Sequence, residues 1–314
     1  MSPGFSSHHR IRIPAALATS HGEPGRAWVA ALPALAEEFM DRWDLRPDGP
    51  PAHGAVALVV PVLRADDTPA ALKLQPVDEE TRGEPLALRT WAGHGAVRLL
   101  RSDQETGTML LERLAAGHSL ADVADAEAAL RILSELLAGL VVFPAPAGLP
   151  LLADIASAML DRVPGSMRLL RNPADRDLLA VCAAAVRDML PQSGDRLLHW
   201  DLHYDNVLAR EPSSPPERMQ WLAIDPKPLA GHPGFELLPA LRNRWDDVVS
   251  TGDVPRAVRR RFDLMTDVIG LDRHQAFCWT LGRILQNALW DIEDGDVVLD
   301  PDQVAIALAL LAVC

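Results

Sequence analysis

The spacing of three polar residues in the second half of the chain constrains it more than any other feature. Asp201 lies five residues before Asn206, and Asp225 follows Asn206 by nineteen residues, at the end of an apolar run that predicts a strand. The carboxylate of Asp201 can accept a proton, and the oxygens of Asn206 and Asp225 are hard donors that suit Mg²⁺. The stretch therefore carries a candidate base and two candidate metal ligands.

This spacing is typical of phosphotransferases of the protein-kinase type, in which catalysis comes mainly from positioning and charge neutralisation. Asp201 is then the candidate base for an acceptor hydroxyl. Two other interpretations of the stretch stay open. His199 and His203 are four residues apart, as in a zinc pair on a helix, and the stretch could also be an ordinary loop without chemistry.

The few lysines of the chain indicate a second part of the predicted site, a cation for nucleotide phosphates. Lysine and arginine total 30, yet Lys73 and Lys227 are the only lysines. Lys73 ends an apolar run after the turn 65–69, which predicts the second arm of a hairpin and a compact ammonium placed for nucleotide phosphates. Glu84, in the run 78–85 that opens the next predicted helix, is its predicted partner, with Glu80 as the second candidate. Alternatively, Glu84 only complements the positive end of the helix dipole.

On these residues the chain resembles the aminoglycoside phosphotransferase superfamily, and within it the branch of streptomycin 6-kinases and aminoglycoside/hydroxyurea antibiotic resistance kinases. The matching stretches are 69–74, 84–91, 95–100, 109–114, the segment around Asp201, and 224–228. The resemblance implies an α+β, bilobal protein-kinase-like fold. The expected lobes are a small nucleotide-binding lobe with an antiparallel sheet, residues 1–114 including the hinge, and a larger, mainly helical lobe, residues 115–314.

The resemblance also implies ATP and Mg²⁺ as cofactors and assigns a role to each candidate residue. Asp201 would be the catalytic aspartate, Asn206 and Asp225 the magnesium ligands, Lys73 the phosphate lysine and Glu84 its partner. The chain has His-Trp-Asp where many kinases have His-Gly-Asp, and Asp-Pro-Lys where protein kinases have Asp-Phe-Gly. Neither departure removes a ligand.

Two further nucleotide contacts are predicted. The segment 110–114 resembles the hinge between kinase lobes, where backbone groups near Glu112 and Leu114 would pair with adenine. Gly54 could let the backbone approach a phosphate, although no G-x-G-x-x-G precedes the phosphate lysine. The alternative is that Gly49 and Gly54 only shape turns.

The net charge of -13 argues against nucleic acid and anionic membranes as partners, and no protein partner is implied. Local acidity instead predicts a cationic small-molecule acceptor, which nearby tryptophans could stack against. The alternative is that the acidic clusters are solvent-facing helix ends. The candidate acceptor contacts are Asp205, Glu236, Asn243, Asp291, Glu293 and Asp294.

The predicted compartment is the cytoplasm. The three cysteines, including Cys314, lack C-x-x-C spacing, residues 1–12 lack a signal core, and no run of eighteen apolar residues occurs. Residues 210–216 are predicted as a surface loop between two strands. The sequence thus predicts an ATP- and Mg-dependent O-phosphotransferase of an aminoglycoside hydroxyl, with streptomycin favoured. The alternatives are a kinase of an endogenous sugar, amino alcohol or hydroxyurea-like compound, and a non-catalytic kinase-like binding module.

Overall fold

The structure is a computed structural model that describes residues 14, 17, 22–54, 56–211 and 220–312. The predictions for residues 1–12, for Cys314 and for most of the loop 210–216 lie outside the described residues. Within them the helices are α1 (Gly22–Trp43), α2 (Glu84–Trp91), α3 (Ala126–Leu140), α4 (Leu152–Ser166), α5 (Pro173–Met189), α6 (Leu237–Arg242), α7 (Trp245–Ser250), α8 (Val254–Ile269), α9 (Arg273–Glu293) and α10 (Pro301–Leu311). The strands are β1 (Leu45–Pro47), β2 (Ala52–His53), β3 (Leu58–Arg64), β4 (Pro69–Leu74), β5 (Leu99–Ser102), β6 (Met109–Glu112), β7 (Leu114–Ser119), β8 (Arg196–Leu198), β9 (Val207–Arg210), β10 (Trp221–Ala223) and β11 (Leu229–Gly231).

The chain forms two compact units that interleave along the sequence. The first contains the described residues up to Pro85 together with Arg98–Arg113, and the second contains Leu86–Val97 together with the described residues from Leu114 onward. The functional division into lobes after residue 114 stays a prediction. The α+β class that the sequence predicts is confirmed by the mixture of antiparallel strands and helices.

The first unit is built on an antiparallel sheet with the strand order β1-β3-β4-β6-β5, and β2 pairs with β3. In β3 every second side chain is buried, namely Leu58, Val60 and Val62, as expected for a strand with one face on a core. Helix α1 packs on that core through Leu32 and Phe39, which are seven residues apart and therefore share one helix face. This packing fixes the sheet whose strand β4 contains Lys73.

The hairpin predicted around residues 65–69 is present. Strands β3 and β4 pair in antiparallel register, and the amide of Arg64 donates to the carbonyl of Thr68 at 3.0 Å. Lys73 lies on β4 opposite Val59 on one side and Met109 on the other. Because β4 is paired on both edges, its backbone is held firmly.

The second unit is mainly helical, and α9 runs through its centre. This helix packs against α5, α4 and α6, and it is buried along most of its length, including Trp279, Leu281 and Leu285. Burying a leucine side chain fully contributes about 2 kcal/mol, so such a helix is a rigid platform. Among the residues that the structure describes, no helix is long and apolar enough to span a membrane.

Two small antiparallel ladders in this unit position the polar loops. Strand β8 pairs with β11, and β9 pairs with β10. Residues 199–206, here called the Asp201 loop, join β8 to β9, and residues 224–228, the Asp225 loop, join β10 to β11. Since each ladder supplies one end of each loop, the two loops lie side by side.

Candidate active site

Backbone hydrogen bonds tie the two loops together near both ends. The amide of Lys227 donates to the carbonyl of His199 at 3.0 Å, and the amide of Ile224 donates to the carbonyl of Asn206 at 2.9 Å. The second bond continues the β9–β10 ladder beyond the pair Val207 and Ala223. Asn206 and the Asp225 loop are therefore brought to the same end of this ladder.

Asn206 is oriented by the loop itself. Its side-chain Nδ2 donates to the carbonyl oxygen of Asp201 at 2.9 Å. Because the amide nitrogen is used in this way, the amide oxygen is the atom offered to a cation. Together with the Asp225 carboxylate it gives a hard oxygen pair, which fits Mg²⁺, an ion that takes one or two carboxylates and its remaining ligands from phosphates and water.

A zinc site finds no support in the described part of the chain, where no group of three or more His, Cys, Asp and Glu side chains could hold a metal ion. His199 has another use. It is fully buried, its Nε2 lies 3.0 Å from the carbonyl of Ile224, and its ring stacks on Trp91 with centroids 6.1 Å apart. Burial lowers the pKa of His199 to about 3, so the neutral ring can donate to that carbonyl and link the two loops.

Trp200 and Asp225 adopt left-handed backbone conformations, with φ of 65° and 55°. Such a conformation costs a non-glycine residue about 1–2 kcal/mol, and strain of this kind persists where surrounding contacts enforce it. Two hydrogen bonds hold Trp200 in this conformation. Its amide donates to Oε1 of Glu236 at 2.7 Å, and its indole Nε1 donates to Oε1 of Gln286 at 3.1 Å. Glycine, the middle residue of the His-Gly-Asp pattern, adopts this φ easily. The bonds to Glu236 and Gln286 explain how tryptophan can take its place in this chain.

The packing around the Trp200 indole was not predicted from the sequence. The guanidinium of Arg283 lies 5.4 Å from the ring centres of both Trp200 and Trp290, and 5.6 Å from that of Phe235. It also donates to Gln286. The sequence did contain a signal for this packing. Arg283 and Gln286 lie three residues apart in a helical run that is otherwise largely apolar. Because buried polar side chains need specific partners, such a pair indicates polar contacts in the interior.

Glu236 lies at the end of the 3₁₀ turn Pro233–Glu236 and is only 1% exposed. Burial raises the pKa of its carboxyl to about 7, against the opposing effects of the Trp200 amide and the charge of Arg283. An acceptor contact by Glu236 stays a prediction. Its burial and its bond to the backbone next to Asp201 favour a role in holding the Asp201 loop.

The raised pKa of Glu236 predicts a pH-dependent stability. Between pH 4.5 and about 7 the folded chain keeps a proton that the unfolded chain has lost, so this group makes stability fall as the pH rises. From pH 5.5 to 8 the loss should be about 2 kcal/mol. Urea unfolding of the parent protein and of Glu236→Gln at both pH values should show a smaller pH effect in the variant. Equal pH effects in the two proteins would contradict the assignment.

In the first unit, Lys73 and Glu84 form a buried ion pair. The Lys73 ammonium lies 2.8 Å from each Glu84 oxygen, and Nε2 of Gln75 donates to Oε2 of Glu84 at 2.7 Å. The two charged side chains are 3% and 2% exposed. Because desolvation offsets much of the attraction in such pairs, they are poor sources of stability. The ion pair instead fixes the position of the Lys73 ammonium, as the sequence analysis predicts. The binding of nucleotide phosphates by Lys73 stays a prediction.

Replacing Glu84 with glutamine keeps the shape of the side chain but removes the carboxylate from the buried ammonium. Breaking one partner of a buried pair costs about 3–5 kcal/mol, so the urea midpoint should fall strongly. The double variant Lys73→Met with Glu84→Gln should recover most of that loss, because no charge remains buried and the glutamine oxygen can still accept from Gln75. A double variant as unstable as Glu84→Gln would show that the pair itself is the stabilising element.

The predicted hinge and the turn at Gly54 have defined backbone partners, and their contacts with nucleotide stay predictions. Glu112 ends β6, and its carboxylate accepts from the amide of Arg98 at 2.8 Å. Leu114 begins β7 and pairs with Arg210 on β9. The amide of Gly54 donates to the carbonyl of Ala57 at 3.0 Å, in the turn between β2 and β3.

Two of the six candidate acceptor residues contact each other, one of them in the Asp201 loop and the other at the end of α6. Asn243, at the end of α6, donates from Nδ2 to Oδ2 of Asp205 at 3.5 Å. The same carboxylate oxygen lies 3.3 Å from Nδ1 of His203, and the Asp205 side chain is 62% exposed. Asp205 and Asn243 thus form a polar, accessible pair that includes a residue of the Asp201 loop.

The other acidic candidates, at the end of α9, differ in burial and partners. Asp291 is half-buried, and burial and then the nearby carboxylate of Asp300 raise its pKa. Glu293 instead pairs with Arg162 of α4 at 2.5 Å. Asp294 is exposed at the end of the helix. Contacts of these three carboxylates with an acceptor stay predictions.

Comparison with known proteins gives the relationships of the chain. The sequence profile of the aminoglycoside/hydroxyurea antibiotic resistance kinases matches residues 42–295. A streptomycin 6-kinase from Streptomyces glaucescens is 57% identical over 98% of this chain and 99% of that protein. A hydroxyurea phosphotransferase from Kitasatospora aureofaciens is 51% identical over 96% of this chain and 86% of that protein. An aminoglycoside phosphotransferase structure from Alicyclobacillus acidocaldarius aligns with a TM-score of 0.53 and 13% identity, over 87% of this chain and 90% of that chain.

These relationships define first the class of protein, a phosphotransferase with the protein-kinase-like fold that acts on a hydroxyl group. The profile match covers most of the chain, and both relatives are more than half identical to it. The chain belongs to the aminoglycoside/hydroxyurea antibiotic resistance kinase family. The predicted family and fold are confirmed, and the roles of the individual residues stay predictions.

Proposed function

We propose that this chain is an ATP- and Mg²⁺-dependent O-phosphotransferase that modifies a hydroxyl group of an aminoglycoside, with streptomycin as the preferred acceptor. The observation that carries the proposal is the 57% identity to a streptomycin 6-kinase over nearly the full length of both chains. ATP as the donor also suits the cytoplasmic location that the sequence predicts.

In this proposal Asp201 accepts the proton of the acceptor hydroxyl while the hydroxyl oxygen attacks the terminal phosphorus of ATP. A new P–O bond forms to the acceptor, the bond to the leaving ADP breaks, and the proton stays on the carboxylate until it passes to solvent. Asn206 and Asp225 would hold Mg²⁺, which neutralises phosphate charge when bound. Lys73, held by Glu84, would pair with the phosphates.

The accessible polar groups of the second unit support a cationic acceptor. Asp205 is an exposed carboxylate of the Asp201 loop, and Asn243 contacts it from the end of α6. An accessible carboxylate attracts the guanidinium or ammonium groups of such antibiotics. We assign Asp205 and Asn243 as the first acceptor contacts to test, ahead of Asp291, whose charged form is disfavoured by burial and then by the nearby Asp300 carboxylate, as its raised pKa indicates.

The hydroxyurea phosphotransferase relative keeps a second candidate open, a kinase of a small uncharged or endogenous acceptor. The nucleotide-binding part would be the same in both cases, so only the acceptor discriminates them. A binding module without turnover is the third candidate. The joint retention of Lys73, Asp201, Asn206 and Asp225 speaks against it, since binding alone does not need a base.

A coupled ADP-release assay with ATP and Mg²⁺ tests the proposal. The acceptor panel contains streptomycin, a kanamycin-type aminoglycoside, hydroxyurea and simple sugars, and Asp201→Asn is the matched negative control. We expect release that depends on streptomycin and disappears in the variant. Release with hydroxyurea or a sugar alone would favour the second candidate, and ATP binding without release on any acceptor would favour the module.

A further inference from the structure

Lys227 is the second lysine of the chain, and its ammonium lies beside the candidate base. Its Nζ is 3.7 Å from Oδ2 of Asp201. The family comparison and the roles set out above give Lys227 no part in the reaction, although it stands two residues after a candidate magnesium ligand. The contact therefore calls for a physical explanation.

The backbone of Lys227 is fixed before its side chain is considered. Pro226 and Pro228 flank it, so the preceding residue has a restricted φ and Lys227 itself is pushed toward an extended conformation. The Lys227 amide also donates to the carbonyl of His199, two residues before Asp201. The direction in which the lysine side chain leaves the backbone is therefore set relative to the Asp201 loop.

Stability does not account for this arrangement. The Lys227 and Asp201 side chains are 42% and 29% exposed, and ion pairs with this much access to water contribute little to folding. The Lys227–Asp201 ion pair has a larger effect on the geometry of the carboxylate than on stability. An ammonium held near Oδ2 restrains rotation of the carboxylate, which leaves Oδ1 to receive the acceptor proton.

We propose that Lys227 is a positioning residue for Asp201, whose carboxylate it holds in the orientation needed to accept the proton of the acceptor. The proposal rests on the proposed phosphotransferase function. Because Lys227 acts through Asp201, its loss should slow turnover without weakening the binding of ATP or of the acceptor. Arginine retains the charge on a wider head group, which shifts the carboxylate, so the expected order of rates is lysine, then arginine, then methionine.

The test compares Lys227→Met, Lys227→Arg and a matched control, Arg260→Met. Arg260 forms an exposed ion pair with Glu127 in the same unit, and neither residue belongs to the Asp201 loop. For each protein we measure kcat, the KM for streptomycin, the KM for ATP, and the affinity for ATP without acceptor. We expect Lys227→Met to lower kcat about 100-fold, with KM and ATP affinity changed less than about threefold, and Lys227→Arg to recover about tenfold of that loss. Arg260→Met should match the parent.

Four results would count against the proposal. Turnover of Lys227→Met within threefold of the parent would remove the positioning role. A loss of ATP affinity as large as the loss of kcat would place the ammonium on the nucleotide instead. Arginine no better than methionine would show that the charge is not what matters. A fall in the thermal midpoint of Lys227→Met relative to Arg260→Met would identify a folding defect and would likewise count against the proposal.

The parent protein separates this proposal from the proposed function. If the parent does not phosphorylate streptomycin, the proposed acceptor fails, and Lys227 is then tested on the slow hydrolysis of ATP, in which water takes the place of the acceptor hydroxyl. The same order of rates is expected there. If the parent phosphorylates streptomycin and Lys227→Met does so equally well, only the positioning proposal fails.

Discussion

Replacing Asp201 with asparagine is expected to lower kcat by about 10²–10⁴-fold, the usual contribution of a general base, while the affinity for ATP stays nearly constant. Asparagine has the shape of aspartate but cannot take a proton. The structure predicts little disturbance of the loop, because Asn206 is held by the backbone carbonyl of Asp201 and not by its side chain. The loss should therefore be a loss of chemistry.

Two measurements check this expectation together. The rate of ADP release gives kcat, and calorimetric titration of the magnesium-free and magnesium-containing protein with a non-hydrolysable ATP analogue gives the affinity. Asp195→Asn is the matched control, since Asp195 precedes β8 in the same unit and its side chain is 90% exposed. A normal rate in Asp201→Asn would exclude Asp201 as the base, and an equal loss in Asp195→Asn would show that the effect is unspecific.

Replacing Asp225 with asparagine is expected to raise the Mg²⁺ concentration for half-maximal activity by at least about tenfold. The change removes an anionic oxygen from the candidate magnesium pair and keeps a neutral one. The backbone should tolerate it, because Asp225 has a left-handed φ of 55° and asparagine adopts that conformation as readily as aspartate does.

The magnesium titration is run at saturating ATP and acceptor for the parent, Asp225→Asn and Asp195→Asn. Saturating magnesium should restore a large part of the Asp225→Asn activity if the ion is bound more weakly but in the same place. An unchanged titration curve would remove Asp225 from the set of ligands. A variant that magnesium cannot rescue at any concentration would point to a role beyond holding the ion.

Local sequence patterns predicted the parts of the site that local geometry builds. The turn 65–69 between apolar runs sufficed for the hairpin of Lys73, and Glu84 was identified as the carboxylate that opens the next helix. The helix itself starts later than the run 78–85 suggests. The Asp78 side chain accepts from the amides of Glu80 and Thr81, and such Asx turns compete with helix formation.

Contacts between distant residues were not predictable in the same way. Trp200 is held by Glu236 and by Gln286, 36 and 86 residues further along the chain. Nothing in the periodicity of α9 says which loop its few polar side chains will meet. Nor could the sequence show that Glu293, at the end of the same helix, pairs with Arg162 of α4.

The scarcity of lysine gives the molecule an unusual chemical selectivity. Lys73 is 2% exposed and engaged with Glu84, whereas the Lys227 side chain is 42% exposed. Among the side chains, an amine-directed acylating reagent should therefore modify Lys227 in the folded protein and reach Lys73 only on unfolding. A single acylated lysine, located by peptide mass, would serve as a built-in reporter of whether the region beside Asp201 is covered by bound ligand.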